Sequence, residues 1–172
     1  NTSPGNTTNL LVVLLHEMGH GLGFASLVNE ATGQLALGSP DVYTTFMFDS
    51  TVGLGWNAMT DAQRMASGIN TNNVFWDGSN VRIASGFLTG GRDATNGWVQ
   101  LYTPNPIENG SSVSHYNTAA SPNLLMEPAI NNGLPIDGDL TRQQFRDIGC
   151  FRDTNADLTQ DTITNVLPSG LA

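Results

Sequence analysis

Apolar and polar positions follow several distinct rhythms along the chain. Leu10-Leu11-Val12-Val13-Leu14-Leu15 is an unbroken apolar run, and Thr7, Thr8 or Asn9 can cap it as the start of a helix. Continued to about Leu22, that helix places Leu11, Leu15, Met18 and Leu22 at spacings of four, three and four, which predicts a buried stripe. Residues 25–28 read as a short extended piece and 31–40 as a Gly/Pro-punctuated loop. Residues 42–48 are rich in β-formers and predict a strand ended by Asp49-Ser50. Thr60 caps a predicted short helix over 60–66 that Gly68 stops. Residues 73–76 and 81–84 are expected to pair as a hairpin around Asp77-Gly78.

The second half is more irregular. Residues 86–97 form a glycine-rich loop, 98–102 a further strand, and Pro104 and Pro106 enforce an extended path. Asn123-Leu124-Leu125-Met126-Glu127-Pro128 reads as a tight turn closed by proline. A short helix is predicted over 140–148, with Asp139 or Thr141 as its cap and Gly149 as its stop. Residues 151–172 form a polar tail, and no internal repeat is present.

Composition narrows the partners. A chain of 172 residues suits one domain and can bury a core. Its net charge is −9, and its six basic residues are scattered arginines without a single lysine, which excludes nucleic acid as a partner. Only 12% of residues are charged while Gly, Asn, Thr and Ser abound, a balance that suits a secreted, loop-rich protein. Cys150 is the only cysteine, so no internal disulfide forms. It is expected to be a small buried apolar group, or else to pair with a segment outside this sequence. The six-residue apolar run is too short for a signal core or a membrane span, so the chain is expected to be a mature or trimmed product.

The chemistry concentrates at the end of the apolar run, in His16-Glu17-Met18-Gly19-His20-Gly21-Leu22-Gly23-Phe24. Histidines four apart on a helix project their imidazoles one above the other, which suits two nitrogen ligands on one Zn²⁺. Glu17 lies too far round to be a third ligand but is placed to touch a water at the metal. A surface or core histidine pair is the bland alternative, and it leaves Glu17 an unexplained charge beside an apolar stripe. Gly19 thins the helix, and Gly21 and Gly23 should end it, so that the chain can turn and bring a distant ligand to the metal.

Only one other histidine exists, His115, eleven residues before Met126. With it the sequence resembles the metzincin zinc proteases, whose pattern is a two-histidine helix, a glycine, a third histidine and a methionine turn. The likeness is to the leishmanolysin-like branch with its secreted bacterial relatives, in which a long insertion separates the glycine from the third histidine. It rests on residues 9–28, on Ser114-His115-Tyr116 with Asn123-Leu124-Leu125-Met126-Glu127-Pro128-Ala129, and on Arg146-Asp147-Ile148-Gly149. The resemblance implies an α+β fold in which 1–150 form the catalytic domain, 25–97 the insertion and 151–172 the tail. It implies His16, His20 and His115 as zinc ligands, Glu17 as general base, and Met126 as a floor beneath the metal. Ser26 stands where ordinary metzincins carry the third histidine, and Glu30 or Glu108 as third ligand is the alternative that thermolysin-type sites suggest. Tyr116 is a packing residue, an aid to the neighbouring ligand or a stabiliser of an oxyanion, and Glu127 a surface acid, a support to the site or an oxygen ligand.

Metzincins build a twisted sheet ahead of the active-site helix, and the fifteen residues before His16 cannot supply one. The chain is therefore expected to be a fragment whose partners are a peptide or protein substrate and the N-terminal part of its own precursor. The implied activity is peptide hydrolysis; a zinc-stabilised structural or binding fragment is the rival. No Gly-x-Ser-x-Gly elbow occurs, which removes a serine triad. Asp153, Asn155, Asp157 and Asp161 have the alternate spacing of a calcium loop, but Leu158 occupies the turn position and no acid closes it. Calcium is therefore a secondary cofactor expectation beside zinc, behind a solvated tail.

Overall fold

The computed structural model describes residues 9–132, 134 and 136–150; the tail with its calcium-like spacing lies outside them. Among the described residues the fold is mixed α+β, with four α-helices and one four-stranded antiparallel sheet. The first helix, α1 (Leu10–Gly21), begins where the Asn9 side chain accepts the Leu11 N–H at 2.9 Å. It ends where Gly23 takes φ +109°, a conformation that costs glycine nothing and most other residues dearly.

The apolar stripe of α1 does not face inward as expected. Val12, His16 and Gly19 are buried instead, while Leu11, Met18 and Leu22 are 46%, 58% and 58% exposed. Of the expected stripe only Leu15 packs against the core. Periodicity identifies an apolar face but not which face a second element covers. Here the covered face is the one where Gly19 leaves room: a Cβ at that position would lie 2.7 Å from the Met126 sulfur. Leu10 and Leu14, also exposed, extend the outward apolar face.

The sheet comes wholly from the segment after α1. β1 (Met47–Asp49) pairs with β2 (Leu54–Gly55) and β3 (Val74–Trp76), and β3 pairs with β4 (Val99–Gln100), giving the order β2-β1-β3-β4. Phe48 lies opposite both Gly55 and Phe75, and Trp76 opposite Val99. The strand expected over 42–48 is shorter, because Asp41 accepts the Thr44 N–H and hydroxyl at 2.8 and 2.7 Å and folds 44–46 into a 3-10 turn. α2 (Asp61–Ser67) carries the expected Thr60 cap, a capping box completed by Gln63.

The expected hairpin is overturned. Residues 81–84 belong to α3 (Ser79–Ala84), not to a strand. Asp147, at the end of α4 (Thr141–Asp147), accepts the backbone N–H of Asn80 at 2.8 Å and of Val81 at 3.2 Å. A carboxylate from far along the chain thus satisfies the helix's orphan donors, and Asp77-Gly78 opens a helix rather than a hairpin turn. Its other oxygen contacts include the Trp76 indole N–H at 2.9 Å. Just past α4, Gly149 takes φ +92°, and Cys150 beyond it is exposed rather than buried.

The core runs from the exit of α1 to the sheet. Phe24 packs against Tyr43 and Tyr116 with ring centroids 5.5 and 5.1 Å apart, and Tyr43 packs against Trp76 at 4.8 Å. Arg64, buried, donates to the carbonyls of Gly33 and Trp56 at 2.6 and 3.1 Å and pairs with Asp61. It ties the 31–40 loop to α2. Among the described residues no helix is long and apolar enough to cross a membrane.

Candidate metal centre

α1 presents His16 and His20 one turn apart. His115 reaches them from a loop pinned at several points. The Tyr102 N–H donates to the His115 carbonyl at 2.9 Å, and the Tyr116 N–H donates to the Met126 carbonyl at 2.8 Å. Two residues before the histidine, Val113 has φ +57°, a costly conformation for a β-branched residue. It is held by its buried side chain and by the Tyr43 hydroxyl, which donates to its carbonyl at 3.1 Å.

The three imidazoles converge through the same nitrogen. Nε2 of His20 lies 3.2 Å from Nε2 of His16 and 3.1 Å from that of His115, and the remaining pair is 3.3 Å apart. Each Nδ1 faces a backbone carbonyl: His16 that of Leu125 at 2.8 Å, His20 that of Phe24 at 2.8 Å, and His115 that of Ser111 at 2.7 Å. A carbonyl oxygen can only accept, so each Nδ1 carries the proton and each neutral Nε2 is left with its lone pair.

Three lone pairs pointed at one another repel unless a cation lies between them. The edge of a tetrahedron with ligands at roughly 2.0–2.1 Å is about 3.3–3.4 Å, close to the observed separations. The residues therefore fit a divalent metal, and the carbonyls fix ring orientation as supports behind metal-bound histidines commonly do. Burial, together with the two neighbouring rings, pushes His115 down to about 4 against the partial opposition of the Ser111 carbonyl, so it stays neutral and ready to coordinate well below neutral pH.

No protein-family model, curated protein or solved structure matches the chain. The site therefore stands on its own geometry.

Among the described residues, His16, His20 and His115 are the group of histidine, cysteine and acidic side chains whose ligand atoms come together, all within 4.8 Å. Neither Glu30 nor Glu108 joins them. Glu17 is exposed, on the helix beside His16. Met126 is fully buried with its thioether against Gly19, beneath the helix that bears the first two histidines. Tyr116 is also fully buried, packed edge-on against Phe24 with ring centroids 5.1 Å apart, and burial raises its hydroxyl pKa well above the ordinary phenol range. Glu127 is turned inward, accepting the Leu124 N–H at 2.7 Å and the Asn131 amide at 2.8 Å; burial raises its carboxyl pKa. It is neither a surface acid nor a member of the converging group.

The three carbonyl partners escaped the sequence reading. A backbone oxygen leaves no mark on residue identity, so nothing in Leu125, Phe24 or Ser111 could have announced it.

Proposed function

We propose that the chain is a zinc-dependent endopeptidase of the metzincin type, similar to the leishmanolysin-like branch. The observation that carries the reading is the convergence of three Nε2 lone pairs, two of them from the helix that also carries the exposed Glu17. His16, His20 and His115 would hold the zinc. Structural zinc sites are closed by four protein ligands, whereas catalytic ones use three. Three groups converge here among the described residues, which favours the catalytic reading over a zinc-stabilised structural module.

Zinc, when bound, supplies Lewis acidity, activating a water and polarising the carbonyl to be cleaved. Glu17 takes the proton of the attacking water on its carboxylate and returns it to the leaving amine. Its exposure on α1 leaves it open to solvent and to a peptide. Met126 supports the helix from below and binds nothing. The substrate is a peptide or protein, and the sparse surface charge supports a secreted setting.

The test is metal analysis paired with chelator-sensitive cleavage of casein. Glu17→Gln should retain zinc and lose on the order of 10²–10⁴ in turnover. A Glu17→Gln protein that cleaves at the wild-type rate removes Glu17 from the role. Wild-type protein that holds zinc and cleaves nothing favours the structural module.

A further inference from the structure

We propose that Asp139 is a positioning residue of the histidine centre, acting on His16 through the backbone of Leu125. The proposal rests on the metal-binding reading above. On its far side from the converging nitrogens, His16 donates its Nδ1–H to the Leu125 carbonyl at 2.8 Å. The direction of that carbonyl depends on how residue 125 is held, and its own N–H donates to Asp139 Oδ2 at 2.5 Å. The carboxylate is itself fixed, because Oδ1 accepts both the backbone N–H and the hydroxyl of Thr141 at 2.9 Å. Asp139 adopts φ +29°, in the left-handed region, which turns the chain so that one side chain reaches both α4 and the turn.

A continuous line therefore runs from the start of α4 through Asp139 and Leu125 to the imidazole of His16. It does what a carboxylate bonded directly to a ligand histidine does, with one residue of backbone interposed. Glu127 supplies an internal comparison. It is a buried carboxylate in the turn itself, whereas Asp139 reaches the turn from the start of α4; but Glu127 holds the Leu124 N–H, and its other oxygen meets Asn131. It reaches no residue whose carbonyl touches a histidine.

The two carboxylates are distinguished by substituting each with its amide. Asp139→Asn has a single acceptor oxygen for three donors, so its amide nitrogen must oppose one N–H. Glu127→Gln keeps both of its bonds once the Asn131 amide turns over. Both variants and the wild type are assayed for zinc affinity by chelator competition and for the visible spectrum of the cobalt-substituted protein. Asp139→Asn should weaken zinc roughly 10- to 100-fold and shift the cobalt bands, whereas Glu127→Gln should leave both unchanged.

A purely structural role for Asp139 lowers the melting temperature without moving affinity or spectrum, and that result overturns the proposal. Wild-type protein that binds no zinc removes the metal reading itself. Zinc bound normally by wild type and equally well by Asp139→Asn overturns this inference alone. Should Asp139→Asn not fold, amide exchange in the wild type decides. Zinc should slow exchange at Leu125 at least about tenfold more than at Leu124, as local opening of the tethered residue becomes costlier. Equal protection at the two amides refutes the line.

Discussion

Substituting Gly19 by alanine sets two effects of opposite sign against each other. In a helix interior, Gly→Ala is favourable by up to about 1 kcal/mol. The new Cβ, however, would sit 2.7 Å from the sulfur and 3.0 Å from the terminal methyl of Met126, whose side chain is fully buried. Displacing a packed side chain in this way costs about 1–3 kcal/mol, so the clash outweighs propensity and Gly19→Ala should destabilise by up to roughly 2 kcal/mol. The displaced thioether also presses on the turn whose Leu125 carbonyl orients His16, so zinc affinity should fall with stability. The decisive experiment is a double-mutant cycle by urea unfolding of the metal-free protein. In a Met126→Ala background the obstacle is gone, and Gly19→Ala should reverse sign to stabilise by up to about 1 kcal/mol. If Gly19→Ala stabilises the wild type and leaves zinc affinity untouched, the close approach of helix and methionine is wrong.

Two further predictions concern stability. Val12→Ala should cost roughly 2 kcal/mol from lost burial and the cavity it leaves, whereas Met18→Gln, on the outward face of the same helix, should stay within about 0.5 kcal/mol in urea melts. Equal costs would place the buried stripe where periodicity put it. Asp77 is pushed up to about 6, first by burial and then by the nearby Asp147 carboxylate, against the opposing pull of Arg82. Because its folded pKa lies above its unfolded value, its contribution to stability is present below the ordinary carboxylate range and is lost as pH rises through about 6. Asp77→Asn should therefore stabilise at pH 7.5 by about 1 kcal/mol, after solvent screening is discounted, and have little effect at pH 4. A gain that is larger in acid than at neutral pH would contradict the assignment.

What the sequence made legible was local. The two histidines of α1 follow from a four-residue spacing, and the Thr60–Gln63 capping box from a three-residue one, because helix geometry alone sets those distances. Gly19 and Gly23 were readable for the same reason, as residues that permit a close approach and a left-handed turn. His115 was reached only through resemblance, since 95 residues separate it from His20 and nothing local directs it there. The errors share a cause in long-range contacts. Asp147 converts an expected hairpin turn into a helix start, and Met126 decides which face of α1 is covered. The carbonyls behind the histidines and the bonds of the buried Arg64 to Gly33 and Trp56 are backbone contacts, which side-chain identity does not encode.

The central claim is that three imidazoles take one zinc ion through Nε2. X-ray absorption on protein loaded with one equivalent of zinc tests it most directly. The account predicts a first shell containing three imidazole nitrogens at roughly 2.0–2.1 Å with no sulfur. A shell with two imidazoles or fewer, or no stoichiometric zinc at all, would contradict it.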